Sequence, residues 1–136
     1  MTTPASLPHV DALTSVLEAA QLTVYLGGAP ANVAPADAAP YVVLYPDPGT
    51  AVRASLADDR VDFMGVVQVT CVGVTAEQAL NVSDRAAAAL SPALVVAGRS
   101  GWRPEHLDGQ PVKRDDDVTP PVFYAVSRFR LRSTPT

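Results

Sequence analysis

One cysteine and two histidines are the residues of this 136-residue chain that are most suited to nucleophilic or metal chemistry. Cys71 lies near the end of a long apolar run, about four residues before a helix start, and the stretch 62–80 around it contains no His or Lys. A reactive thiol needs a helix N-terminus, a base or a cation close by. We therefore interpret Cys71 as a small buried hydrophobic residue. A nucleophile paired with His106 is the alternative.

Metal binding has two possible sources in the sequence, and neither has the spacing of a known site. His9 and His106 lie at opposite ends of the chain without nearby cysteine ligands at fixed spacing. Three adjacent carboxylates could bind Ca²⁺ or Mg²⁺, but they lack the alternation and the bidentate Glu of an EF-hand: Asp115, Asp116 and Asp117. A solvated loop is favoured there. We expect no metal, no cofactor and no catalytic residues, and hence no enzyme.

Alternating arginines form the clearest charge pattern. Arg128, Arg130 and Arg132 share one face of a strand-like segment. They either protect an edge strand against mispairing or form a basic stripe that faces acidic partners or nucleic acid. In the second case Arg130→Glu should weaken assembly. Trp102 and Arg103 lie beside a Gly-rich turn, where the Trp is either an interface anchor or a core residue.

Composition excludes several classes of protein. The net charge of −4 disfavours non-specific binding to nucleic acid. A single Cys cannot form an internal disulfide. The first twenty residues lack the basic and apolar regions of a signal peptide, and no apolar run approaches 18 residues, so we expect no membrane partner. The chain has 48% hydrophobic and only 18% charged residues, and many of the hydrophobic residues are Ala and Val. This composition is typical of a domain with a thin core or of a subunit that buries apolar surface against a partner.

Periodicity predicts two helices and several strands. One helix covers about 9–21. The other follows Thr75, which forms a capping box with Gln78, and it ends at Ser91-Pro92. Its predicted apolar stripe is Ala76, Ala79, Leu80, Ser83, Ala87 and Leu90. Strands are predicted at 22–26, 41–46, 60–74 and 122–132, with a hairpin arm at 50–56 and a turn at Asp58-Asp59.

The strand at 60–74 alternates in a way that predicts the fold class. Phe63, Val67, Val69 and Cys71 share an apolar face, whereas the opposite face is mixed and meets solvent or a neighbour. We predict an α+β fold with a mixed, mainly antiparallel β-sheet and two α-helices packed on one face. Residues 1–136 form one domain, with a flexible lead-in (1–8), a Pro-rich loop (27–40), a polar loop (103–121) and a frayed tail (133–136).

Two sequence pieces carry a resemblance to a known family. They are Pro-Tyr-Val-Val-Leu-Tyr at 40–45 and the strand Val-Gln-Val-Thr-Cys-Val-Gly at 67–73, which leads into the helix after Thr75. Over about 9–132 the layout resembles the tail terminator (tail completion) proteins of long-tailed bacteriophages. That resemblance implies helices on a mixed sheet, no catalytic residues, and a ring of six copies. The ring caps the tail tube, ends its polymerisation and offers a surface for head attachment.

The resemblance also implies partners and a location. The implied partners are other copies of the chain, the tail tube protein and the head-tail connector, and DNA that passes through the lumen is a further candidate. The location is the head-proximal end of the virion tail, after assembly in the host cytoplasm.

A ring needs two complementary patches: the outer face of 60–74 with 27–40 is one candidate, and 103–121 the other. The arginines could meet Asp115–Asp117 of a neighbour or line the lumen. A connector or stopper protein, or a nucleic-acid-binding module, is the alternative.

Overall fold

A computed structural model describes residues 4–52 and 61–136 of the chain. Its helices are α1 (Leu7–Ala19), α2 (Pro35–Ala38) and α3 (Ala76–Ala89). Its strands are β1 (Val24–Leu26), β2 (Tyr41–Pro46), β3 (Thr50–Val52), β4 (Asp62–Gly73), β5 (Val95–Val96), β6 (Arg99–Gly101), β7 (Glu105–Asp115) and β8 (Val122–Pro135). The predicted turn at Asp58-Asp59, and the hairpin arm beyond residue 52, lie outside the described residues.

The described strands form a single eight-stranded sheet. Its order is β1-β2-β4-β8-β6-β5, and β3 also pairs with β4 while β7 also pairs with β8. Only β1 and β2 are parallel to each other; the other pairs are antiparallel. The two longest strands, β4 and β8, pair from Phe63↔Ser133 to Gly73↔Phe123 at the centre. The predicted α+β class with a mixed, mainly antiparallel sheet is confirmed.

Both long helices cover the same face of this sheet. Pro8 lies in the first turn of α1, where a backbone N–H would have no intrahelical partner, so a proline costs the helix no hydrogen bond there. The core on this face consists of Leu13 and Leu17 of α1, Val82 and Ala86 of α3, and Phe63, Val67, Val69, Cys71 and Phe129 of the sheet, among others. The apolar face predicted for the long strand is therefore the core face. In the described residues, no helix is long and apolar enough to span a membrane.

Helix α3 is capped by Thr75 as predicted, but the Gln78 side chain bonds the N–H of Val74 and not that of Thr75, and the helix is rotated relative to its predicted stripe. The Thr75 hydroxyl accepts a hydrogen bond from the Gln78 N–H at 3.1 Å, and the Gln78 side chain accepts one from the Val74 N–H at 2.7 Å. Ala79, Val82 and Ala86 are buried, whereas Leu80 of the predicted stripe is 47% exposed. The predicted stripe omitted Val82, the large apolar residue that the structure buries, and the consecutive alanines at 86–89 do not distinguish one side of the helix from another.

Four predicted irregular segments contain regular structure. Helix α1 begins inside the predicted lead-in 1–8, and α2 lies inside the predicted loop 27–40. The predicted polar loop 103–121 contains β7, which pairs with β8 over most of its length. The predicted frayed tail is wrong in part, since β8 continues to Pro135 and Ser133 is fully buried. Strand β7 was missed because nearly all of its side chains are exposed, so it has no hydrophobic alternation.

Candidate assembly surface

The sheet face opposite α1 and α3, called here the outer face, carries most of the residues singled out by sequence. Pairing registers place side chains of β2, β4, β7 and β8 side by side on it. Its β8 residues are Val122, Tyr124, Val126, Arg128, Arg130 and Arg132. Among the described elements, only the short helix α2 packs on it, at one end. The outer face therefore has an apolar end near Tyr124 and a charged end near Arg132.

At the charged end, each of the three arginines donates a hydrogen bond to a carboxylate of a neighbouring strand. The pairs are Arg128 with Asp108 at 2.8 Å, Arg130 with Glu105 at 3.1 Å and Arg132 with Asp62 at 3.2 Å. The hydrogen bond from Arg128 lowers the pKa of Asp108 below its ordinary value, and the same contact raises the pKa of Arg128. The arginine stripe is thus neutralised by carboxylates of its own chain.

The edge-strand interpretation of these arginines is wrong. Strand β8 has β4 on one side and β7 and β6 on the other, so its backbone groups are already paired and need no protection against mispairing. The arginines instead hold β8 to its neighbours through cross-strand charge pairs.

Trp102 and Arg132, both candidate interface residues, contact each other. The Arg132 guanidinium carbon lies 4.1 Å from the centre of the Trp102 ring, a cation–π distance. The backbone N–H of Trp102 donates a hydrogen bond to the Arg132 carbonyl at 2.8 Å. The Trp102 side chain nevertheless remains 46% exposed, so it is not a core residue. Arg103 follows it and is exposed.

The three carboxylates at 115–117 do not converge. Asp115 accepts a hydrogen bond from the Asp117 N–H at 3.0 Å, and Asp116 forms an ion pair with Arg114 at 2.6 Å. Within the described part of the chain, no group of three or more His, Cys, Asp or Glu side chains could hold a metal ion. Asp115 is half-buried and lies at the apolar end of the outer face.

A concave groove of about 370 Å³ occupies that apolar end. Its walls include Tyr41, Val43 and Tyr45 of β2, Thr70 of β4, Tyr124 and Val126 of β8, and Asp115 of β7. The remaining tyrosine of the chain, Tyr25, packs edge-on against Tyr41 with 5.5 Å between ring centres. Burial raises the pKa of Tyr41, and the nearby Tyr45, Tyr25 and Asp115 raise it further. The groove suits an apolar or aromatic group with a cation beside it.

Sequence reasoning did not identify this groove, although part of the signal was present. Tyr41 and Tyr45 are four residues apart on one strand, so they share a face. Tyr124 shares the face of the arginines for the same reason. What the sequence did not show is that β2, β4 and β8 are neighbours in a register that sets Val43 opposite Thr70, and Thr70 opposite Val126.

Cys71 and His106 are not brought together as a catalytic pair. Cys71 is buried in the core, and burial raises the pKa of its thiol to about 12. His106 lies on β7 with its ring 5.1 Å from that of Phe129. In the described residues no hydrogen bond joins the two side chains. A thiol with so high a pKa holds almost no thiolate at neutral pH.

Comparison with known proteins gives a likeness of fold. No protein family matches the sequence, and no curated protein matches it. Among solved structures, a chain of the virion of a native gene transfer agent (GTA) particle is similar, with a TM-score of 0.52 and 19% sequence identity. The likeness covers 96% of this chain and 92% of that chain. This chain therefore shares its fold with a chain of the GTA virion.

Proposed function

We propose that this chain is a structural virion protein of the tail-terminator type. Copies of it, six by the family resemblance, form a ring that caps the tail tube, ends tube polymerisation and provides a surface for head attachment. The observation that carries the proposal is the likeness of fold to a GTA virion chain over nearly the full length of both chains. The motifs at 40–45 and 67–73 support the same family independently of the fold.

The outer face supports an assembly role on physical grounds. It combines a groove lined by aromatic residues with an exposed Trp, and such residues dominate binding energy at protein interfaces. A ring of identical subunits needs two different patches that complement each other. The groove and the Trp102 region are two such patches on one face.

We also propose that the chain is not an enzyme. The nucleophile that could be suggested from sequence, Cys71, lies in the core with a pKa of about 12. The charged candidates Arg128, Arg130 and Arg132 are held in ion pairs. These contacts favour a binding role for the outer face over a catalytic one.

Local charge balance favours protein partners over DNA for this face. Strands β4, β7 and β8 contribute four cations and four carboxylates to it among the described residues: Lys113, Arg128, Arg130, Arg132, Asp62, Glu105, Asp108 and Asp115. Arg103 beside Trp102 adds one more cation. Binding to DNA by phosphate contacts requires an excess of cations that release counterions. A separate nucleic-acid-binding module is therefore the weaker proposal, although DNA passing through a ring does not require tight binding.

The test is tube-length control. Tail tube protein of the same particle is polymerised with and without the purified chain, and tube lengths are measured by electron microscopy. A terminator keeps tubes short and lies at one end of each, and light scattering shows six-fold mass when the protein assembles. A chain that leaves tube growth unchanged and stays monomeric would refute the proposal. Binding to the head connector but not to tube ends would identify a connector or stopper.

A further inference from the structure

We propose that the groove of one copy receives Trp102 and Arg103 of the next copy in the ring. This rests on the proposed ring and identifies the contact that closes it. The term knob is used below for Trp102 and Arg103, and the term groove for the concavity described above. In the contact, the Trp102 indole packs among the tyrosine rings and the Arg103 guanidinium pairs with Asp115.

The groove has the composition of a site for a large apolar side chain. Three tyrosines, Tyr41, Tyr45 and Tyr124, line it together with valines of β2 and β8. Its volume of about 370 Å³ lies in the range of clefts that bind small molecules, so an indole fits. Tyr45 is 42% exposed, which leaves an aromatic surface open at the rim. An apolar concavity on a sheet face where α2 alone packs, among the described elements, is the kind of surface that a partner covers.

The knob has the properties of a prepared interface anchor. Trp102 is 46% exposed, yet its ring lies 4.1 Å from the Arg132 guanidinium and its backbone N–H donates to the Arg132 carbonyl at 2.8 Å. Arg132 is in turn fixed by Asp62 at 3.2 Å. A Trp already held in one position loses little conformational entropy on binding.

Charge complementarity selects the knob as the occupant. Most of the described cations are already engaged with groups of their own chain: Arg85 and Arg99 with backbone or Ser133 oxygens, and Arg114, Arg128, Arg130 and Arg132 with carboxylates. Arg103 and Lys113 make no such bond to a described residue, and Lys113 is itself beside the groove on β7. Asp115 at the groove likewise has no cation paired with it among the described residues. Arg103 and Asp115 are thus matching unpaired charges.

The position of the two patches requires contact between copies. The knob lies beside Arg132 and the groove beside Tyr124, which are eight residues apart on β8. At roughly 3.3 Å per residue the patches are about 26 Å apart, so a copy cannot fill its own groove. Two different patches at opposite ends of one face can meet in a two-fold dimer, in which each knob fills the other copy's groove, or in a head-to-tail contact that closes into a ring when its rotation allows. The proposed ring requires the head-to-tail contact.

A charge exchange tests the contact. Arg103→Glu and Asp115→Arg should each raise the concentration needed for ring assembly by about tenfold or more, because each leaves two like charges facing each other. The double variant should return that concentration to within about threefold of wild type. Arg114→Glu and Asp116→Arg are matched controls with the same charge changes outside the contact. Single variants that assemble like wild type, or a double variant no better than the singles, would overturn the inference.

Disulfide cross-linking provides a second, geometric readout. A chain with Arg103→Cys and Val118→Cys, the latter at the groove, should form a ladder of covalent species up to the ring size under mild oxidation. The native Cys71 does not interfere, since it is buried. Arg103→Cys paired with Ser15→Cys on the exposed side of α1 is the control and should give no ladder. Absence of any cross-link in a chain that assembles would overturn the contact, and dimers alone would overturn its head-to-tail arrangement in a ring.

The outcomes separate this inference from the proposed function. Suppose that the wild-type chain caps tubes as a ring, but the charge exchange does not alter assembly and the cysteine pair forms no cross-link. The inference is then wrong, and the terminator proposal stands. If the wild-type chain neither assembles nor binds tubes, the terminator proposal falls and the inference falls with it.

Discussion

His9 and Ser133, 124 residues apart in sequence, are joined by a buried hydrogen bond of 2.6 Å between Nε2 of the imidazole and the hydroxyl. Nδ1 of His9 lies 2.7 Å from the Ala5 carbonyl, which can only accept, so Nδ1 carries the proton. Ser133 therefore donates to Nε2, and its oxygen accepts from Nε of Arg99 at 2.7 Å. The contact ties the first helix to the last strand, with the His9 ring stacked 3.8 Å from Phe63.

Removal of the Ser133 hydroxyl should therefore cost stability. Ser133→Ala leaves both Nε2 of His9 and Nε of Arg99 without this partner inside the protein, and an unsatisfied buried polar group costs about 1–3 kcal/mol. Urea unfolding followed by circular dichroism measures the loss. Ser100→Ala, at an exposed position of β6, is the control and should change the free energy of unfolding by less than about 0.5 kcal/mol.

Stability should also fall in mild acid because of His9. Burial lowers the pKa of His9 below its ordinary value of 6.5, the Ala5 carbonyl opposes this, and the charge of Arg99 lowers it further. His9 therefore binds a proton more readily in the unfolded chain than in the folded one. The free energy of unfolding is highest above pH 6.5 and decreases as the pH drops below that value. Unfolding curves between pH 8 and pH 5 measure the effect. His9→Gln should weaken the acid dependence and His106→Gln should retain it; an unchanged dependence in His9→Gln would contradict the assignment.

The thiol of Cys71 should be unreactive in the folded protein. Its side chain is 2% exposed and its pKa is about 12, so at pH 8 it is almost entirely in the protonated form, which is not the nucleophile. Labelling with a chromogenic disulfide should be slow in buffer and fast in urea. If the proposed function is right, Cys71→Ala should cap tail tubes as well as the wild-type chain does. Loss of function in a folded Cys71→Ala variant would instead favour the enzyme interpretation.

The sequence predicted those features that depend on strong periodicity and failed where periodicity was weak. The alternation from Phe63 to Cys71 was sufficient to identify the central strand and its buried face, because each side chain there is either apolar and inside or on the outer face. Strand β7 has no such alternation, so only its pairing with β8 reveals it. The frayed tail was predicted from composition alone, yet Ser133 is buried by a contact with His9 that no local pattern encodes. For the same reason the groove, whose walls come from four strands, could not be predicted.

Thr75 should contribute measurably to the stability of α3. Its hydroxyl accepts the Gln78 N–H at 3.1 Å, one of the N–H groups that a helix start leaves without an intrahelical partner. Thr75→Ala should therefore destabilise the protein by about 1 kcal/mol, measured by urea unfolding. Thr75→Ser keeps the acceptor oxygen and should remain close to wild type, whereas equal losses in the two variants would mean that packing of the methyl group, not capping, is responsible.

The sequence alone led to an expectation for the effect of Arg130→Glu on assembly. The ion pair between Arg130 and Glu105 adds an expectation for its effect on stability. Both side chains are substantially exposed, at 41% and 61%, and exposed pairs contribute about 0–1 kcal/mol. Arg130→Glu should thus have a small effect on stability, and exchange of the two charges in Arg130→Glu with Glu105→Arg should remove most of that effect.

Because every arginine of the stripe is paired, the wild-type chain should bind DNA weakly at 150 mM salt, as measured by fluorescence anisotropy with a labelled duplex. Tight binding that Arg130→Glu abolishes would show that the stripe gives up its carboxylates for phosphate, and the outer face would then belong to the lumen.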